Sequence, residues 1–446
     1  MKFRISPFML TRACLSLFAA ALLLPAFSQA ARAQSVSSYE RESGRQMLKM
    51  IKLDIEKYYY DSAYHGIDLE ARFKEADEKI KKATSNGLIF GVIAQALLDF
   101  NDSHLFFTPP PRVSRVEYGW QMKAVGDQCY VVSVKPGSDA EAKGLKPGDA
   151  VLSVDGFEPS RDVLWKIQYY YYALRPQPGM RVVVQSPGGQ PRQVDVMAKI
   201  YPGKKQVDLQ ESINWLNLQV EAENEAHLSR HRFAESGEMV IWKMPGFDTY
   251  KEKDVDLLME KVKGRKALIL DLRGNGGGYI VMLKRLLGHF FDRDVKIGDM
   301  KYRKEVKPEV AKTRGDGVFK GKVVVLIDSQ SGSAAEIFAR VIQLEKRGVV
   351  IGDRSAGAVM QSLHYSHEVG LETVVPYGAS VTNADVIMTD GKSLEHTGVT
   401  PDELLVPAGA DLAAKRDPVL ARAAELLGYE LDAEKAGALF PVEWRK

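Results

Sequence analysis

The chain has 446 residues, of which 45% are hydrophobic and 27% charged. That is the composition of a soluble globular protein too long for one ordinary core, so two or three domains are expected. The formal charge of +3 becomes −1 once the first 33 residues are set aside, because they carry Lys2, Arg4, Arg12 and Arg32 and no acidic residue. No basic excess remains to neutralise phosphates, so composition argues against a nucleic-acid partner.

In chain order, the first element is a basic start followed by an apolar run, Ala13 to Phe27, and the small-residue triplet Ala31-Arg32-Ala33. This pattern is a secretory signal peptide cleaved after Ala33 or Ala30, with an uncleaved anchor as the alternative. It places the mature protein outside the cytoplasm, periplasmic or extracellular. Its removal takes Cys14 with it and leaves Cys129 alone, so no intrachain disulfide is expected. No later stretch is apolar for long enough to span a membrane, and none is expected after signal cleavage.

Residues 34–112 read as helices. Leu48, Ile51, Ile55 and Tyr58 share one helical face, 72–83 is charged and helical, and Leu88 to Phe100 is more apolar. The helices stop at Asn101-Asp102-Ser103-His104-Leu105, ahead of Thr108-Pro109-Pro110-Pro111. A histidine after a helix is usually a cap or a surface residue. Over 113–200 the signals become short strands and turns. Gly144 ends a short helix, Pro147-Gly148 turns, Val151 and Val154 flank a strand closed by Asp155-Gly156, and Val182–Gln185 and Gln193–Met197 flank a Pro-Gly-Gly hairpin. The run Tyr169 to Tyr172 reads as amphipathic packing, and Cys129 as a core residue of a strand.

From Tyr201 strands and helices alternate, which argues α/β. Met239–Met244 is a strand, Lys253–Val262 a helix, and Ala267–Leu272 a strand leading into Arg273-Gly274-Asn275-Gly276-Gly277-Gly278. That turn lacks a Lys-Ser/Thr ending and GxGxxG spacing, so no nucleotide is expected. Val323–Ile327 is a buried strand, Asp328 to Gly332 a tight polar turn, and Ile337, Val341 and Leu344 recur at helical spacing. A helix therefore starts near Ser333 or Ala334, and a hydroxyl sits among unpaired N–H groups at the positive end of a dipole. Such a serine is ordinarily an N-cap, but it can also attack a carbonyl while neighbouring amides receive the oxyanion. Gly391 to Asp402 contains Glu395 and Gly398-Val399-Thr400-Pro401-Asp402. After Leu405 a charged helical region, 409–446, carries no legible motif. His227-x-x-x-His231 and His364-x-x-His367 lack a paired Cys or a HExxH setting, so they read as surface histidines and no metal is expected.

Four of these stretches resemble one family. Ser331-Gly332-Ser333-Ala334-Ala335-Glu336, Asp271 to Gly278 and Glu395 to Asp402 are similar to signature elements of the tail-specific, or C-terminal processing, serine proteases. Residues 136–156 resemble a PDZ domain. Ser103-His104 is similar to the Ser-His pair of the branch typified by the tricorn protease core. The Ser-Lys branch would place a lysine at position 358, which here is Ala358. The resemblance implies a multidomain α+β fold. It has an N-terminal helical domain (34–112), a PDZ-like β domain (113–200), an α/β protease domain of the crotonase/Clp-like kind (201–408) and the C-terminal helical region (409–446).

The roles it implies are Ser333 as nucleophile, His104 as general base, and Ser103 and Glu395 as supports of the imidazole. Gly277, with Gly276 as the alternative, and Ala334 are the implied oxyanion donors. The stretch Tyr118-Gly119-Trp120-Gln121-Met122 falls where such domains receive a peptide's carboxylate, and a bound peptide would add a strand to a sheet edge. Expected partners are polypeptides, and no cofactor is needed. Oligomeric state is not legible. The rival is a non-catalytic polypeptide-binding scaffold of the cell envelope. An α/β hydrolase would need a Gly-x-Ser-x-Gly elbow, which 331–335 does not fit.

Overall fold

Ser37, Asp68 and Ser85 each accept a backbone N–H of the following turn and so start the helices Ser38–Tyr58, Leu69–Lys81 and Asn86–Leu98. The second and third begin two or three residues before the periodicity alone suggests, because the caps decide the start. These elements belong to a computed structural model that describes residues 36–112, 114–202, 230–249, 251–370 and 374–445. The signal-peptide segment 1–33 with Cys14, and His227, lie outside the described residues. Ile51, Ile55, Ile80, Ile93 and Leu97 fill one core between the three helices and the strands Phe106–Thr108 and Val375–Met388.

A five-stranded antiparallel sheet follows, with order Trp120–Val125, Gln128–Val134, Ala150–Val154, Gly179–Gln185, Arg192–Met197. Alternate residues of 128–134 are buried, which puts Cys129, Val131 and Ser133 inward. Burial pushes the Cys129 thiol up to about 11, so it stays protonated and inert near neutrality. Tyr171 closes this core, while Tyr172 is half exposed beside it.

The third layer is a six-stranded sheet. Lys322–Ile327 lies at its centre between Ala267–Asp271 and Val349–Gly352, and all three run parallel. Their residues are apolar on both faces because helices cover both faces. Glu252–Glu260, Ile280–Gly288 and Ala334–Leu344 pack on one side, and Pro418–Leu427 with Ala433–Ala438 on the other. Parallel strands end on the same edge, so the loops 272–279, 328–333 and 353–359 meet there.

The sequence pattern did not disclose a second five-stranded sheet, which is antiparallel. Its spine is Val375–Met388, paired along one edge by Met360–Val369 and along the other by Phe106–Thr108 and Val295–Tyr302, with Val306–Ala311 outermost. The pairing Phe106↔Ser380 ties the chain just after His104 to the second half of the molecule. The molecule is thus a mixed α/β fold of several sheets.

Candidate active site

Helix 86–98 ends in a tight turn with Asn101 at φ 50°. Asp102 then folds back. Its Oδ1 accepts the backbone N–H of His104 (2.9 Å) and the Thr382 hydroxyl (2.7 Å), and its Oδ2 accepts the Tyr59 hydroxyl (3.0 Å). These bonds and the 106–108 strand pairing clamp the turn carrying Ser103 and His104 against the long strand. Ser103 Oγ lies 2.8 Å from His104 Nδ1 and donates to Glu395 Oε2 at 2.9 Å. Glu395 also accepts the N–H of Ser103 (2.9 Å) and of Val359 (2.8 Å). Burial lowers the His104 pKa below its ordinary 6.5, and burial raises Glu395 despite the three donors.

Ser333 precedes the helix Ala334–Leu344 and is half-buried. Its backbone is strained, with φ 52° and ψ −119°, a conformation that costs a non-glycine residue about 1–3 kcal/mol. Its N–H holds that conformation by donating to Ala358 O (2.8 Å) and Glu336 Oε2 (3.0 Å). The N–H of that same peptide, carried by Val359, is bound to Glu395. The nucleophile candidate and the imidazole relay therefore share the 358–359 peptide as a common anchor. Ala358, where the other branch would need a lysine, contributes only its backbone.

Gly277 packs against Ser333 with φ 96°, and a Cβ added there would lie 2.6 Å from the Ser333 Cβ. Its own N–H donates to Asn275 Oδ1 at 2.9 Å. Among the described residues, neither the Gly276 N–H nor the Ala334 N–H has a hydrogen-bond partner. The Gly332 N–H is occupied by Asn275 O at 2.9 Å.

Residues 239–405 match the sequence model of peptidase family S41. The chain carries a peptidase family S41 domain. It is 28% identical over 253 residues to the tail-specific protease of Haemophilus influenzae, covering 55% of this chain and 34% of that protein. A probable CtpA-like serine protease of Staphylococcus aureus is 22% identical over 354 residues, covering 77% and 63%. The chain thus spans between a third and two thirds of these curated relatives' length. The chloroplastic carboxyl-terminal-processing peptidase 1 of Arabidopsis thaliana is 23% identical over 371 residues, covering 78% and 69%. In fold, the chain is similar to mature CPAF (TM-score 0.64, 15% identity, 88% of this chain and 96% of that one). It is also similar to the photosystem II D1 C-terminal processing protease (TM-score 0.50, 18% identity, 91% and 100%).

Two residues near the S41 signatures carry more structure than their spacing suggested. Glu336 is fully buried and accepts Ser355 Oγ (2.6 Å), Gly357 N (2.7 Å), Ala358 N (3.0 Å) and Ser333 N (3.0 Å). Burial still pushes its carboxyl up to about 7. Asp102 is the other. An acidic residue one place before the Ser-His pair was its only signal, and the residues it binds, Tyr59 and Thr382, are remote in sequence.

The stretch 118–122 lies away from these loops, at the start of the small sheet. Gly119 has φ 73°, and a Cβ there would lie 2.5 Å from the Ser138 Cβ. Tyr118 and Trp120 are buried, while the Gln121 side chain is exposed and accepts the Ser133 hydroxyl at 2.8 Å. One strand joins the stretch to the S41 domain. Lys123 Nζ lies 2.8 Å from Asp328 Oδ2, and the Ser329 hydroxyl donates to Ala124 O. Of the histidine pairs, His364 and His367 are three apart on a strand and face opposite ways. His367 Nε2 sits 2.6 Å from Asp54 Oδ2, and His231 is bound to Trp242 Nε1 (3.1 Å) and Asp248 (3.3 Å).

Proposed function

We propose that the protein is an exported serine endopeptidase that hydrolyses peptide bonds of polypeptides through Ser333 and His104. The carrying observation is the hydrogen-bonded series Glu395–Ser103–His104, anchored on the same 358–359 peptide that holds Ser333. The Ser103 hydroxyl has one proton, which it donates to Glu395, so it accepts from His104 Nδ1–H. That leaves Nε2 as the free base. Ser333 Oγ attacks the scissile carbonyl carbon and His104 Nε2 takes its proton. The oxyanion is received by the Ala334 N–H at the helix start and by a second amide of the glycine turn. Gly276 is the better second donor than Gly277, since Asn275 already holds the Gly277 N–H. The tetrahedral intermediate expels the amine, to which His104 returns the proton. Water, deprotonated by the same nitrogen, then releases the acyl group. No cofactor enters any step.

Residues 113–200 act in this reading as a PDZ-like domain, with 118–122 receiving a polypeptide end, and 34–112 as a helical domain that positions the base. What supports export is the signal-type segment 1–33. The test is labelling of the protein, purified without residues 1–33, by a fluorophosphonate probe. Labelling of the unaltered chain and its loss in Ser333→Ala are expected. Failure to label, or equal labelling of Ser333→Ala, overturns the assignment.

A further inference from the structure

A cavity of about 900 Å³ lies not at Ser333 but beside the small sheet. Tyr118, Trp120 and Met122 form one wall, Ile167 and Tyr172 another, and Gln330, three residues before Ser333, lies at its margin. Its remaining lining comes from Glu443, Trp444 and Arg445, at the other end of the sequence. Residues 441–445 have no regular structure and leave the helix Ala433–Ala438 to reach this groove.

Basic side chains bond the segment there. Arg232 Nη1 donates to Pro441 O at 2.8 Å, Arg230 Nη2 lies 2.8 Å from Glu443 Oε1, and Lys135 Nζ donates to Arg445 O at 2.8 Å. Trp444 is half-buried and Val442 is 53% exposed. The covalent tether adds to these bonds an effective concentration on the order of millimolar. Among the described residues, the buried Nε1–H of Trp120, a residue that lines the groove, has no acceptor.

We propose that residues 441–445 are an internal ligand of this groove and compete with external polypeptide for it. The external partner is then a polypeptide of matching chemistry: an extended stretch with an aromatic side chain for the Trp444 position, followed by a main-chain carbonyl for Lys135. Because the strand from Trp120 carries Lys123, which pairs with Asp328, displacement of the segment reaches the loop before Ser333. This inference rests on the reading of 118–122 as a polypeptide-binding site.

The test measures, by fluorescence anisotropy, binding of a labelled peptide spanning Phe440 to Arg445. It uses the intact chain, a chain ending at Phe440 and full-length Trp444→Ala. The peptide should bind the shortened chain at least tenfold more tightly than the intact one, with Trp444→Ala between them. Lys135→Met in the shortened chain should weaken binding at least threefold. Should the shortened chain fail to fold, an improvement of at least threefold in Trp444→Ala over the intact chain carries the same conclusion. Equal affinity for all forms overturns the inference. A second probe, an unrelated peptide with an apolar free C-terminus, is compared with its amidated twin to separate the two failures. If it binds every form equally while the 440–445 peptide shows no preference, the groove reading stands and the internal ligand falls. If neither probe binds any form, both fall.

Discussion

Individual side chains act here through their protonation and through the backbone they hold. His104 works as a base only when neutral, and burial lowers its pKa. The acid limb of kcat/KM should therefore lie below pH 6.5, and a limb above that value would contradict the burial argument. Glu336 has the opposite sign. Its carboxyl is raised in the fold to about 7 from 4.5, so the folded protein retains a proton that the unfolded chain has released. Its contribution is complete below about pH 4.5 and is lost as pH rises through about 7. Glu336→Gln should flatten the stability slope across that window. It should also cost about 1–3 kcal/mol, because an amide opposes one of the four donors with an N–H of its own. Since Ser333 N–H loses its carboxylate anchor, kcat should drop at least tenfold. Denaturant titrations at pH 5 and 7.5 with kcat at each pH check this, and unchanged values in both would remove Glu336 from the positioning of Ser333.

At the level of elements, side-chain bonds fix the small sheet to the loops around Ser333. Arg161 Nη2 meets Asp353 Oδ2 at 2.5 Å, Gly126 N donates to the same oxygen at 2.8 Å, and both side chains are largely buried. With Lys123–Asp328, these bonds dock the sheet onto two of the three loops at the carboxyl edge of the parallel strands. Removing one partner of a buried pair leaves the other charge uncompensated, at a cost of about 3–5 kcal/mol. Arg161→Ala should therefore lower stability by roughly that amount. If the docked sheet receives polypeptide as proposed, the substitution should reduce kcat/KM for long polypeptides more than for a small ester. Equal losses on both substrates would show that docking has no part in polypeptide use. The glycine turn is similarly exacting: Gly277→Ala forces a Cβ against Ser333 at a positive φ, and should abolish fluorophosphonate labelling while leaving far-ultraviolet circular dichroism intact. A labelled Gly277→Ala protein would contradict the packing argument.

For the whole molecule, local chemistry was legible and long-range pairing was not. The helix after Ser333 begins at Ala334 as its periodicity required, and the strands 239–243, 267–271 and 322–327 follow apolar runs that sit between turn residues. The sheet built on Val375–Met388 escaped notice because its strands are half-polar and its partners lie far apart, as with Phe106 and Ser380. The region after Leu405 carried no motif because its signal is tertiary. Val419, Leu420, Ala423 and Ala424 form a stripe that means nothing until the parallel sheet is beneath it, and Asp417 waits for Arg273, 2.7 Å away. In the same way, a sequence separation of 292 between Ser103 and Glu395 hides a bond of 2.9 Å. That bond matters only if the imidazole it supports is the base. The most direct measurement is kcat of purified His104→Ala on a polypeptide substrate, with its melting temperature recorded beside it. The account predicts a fall of about a thousandfold or more, as for loss of a triad base, with the fold retained. A kcat near that of the unaltered protein would contradict it.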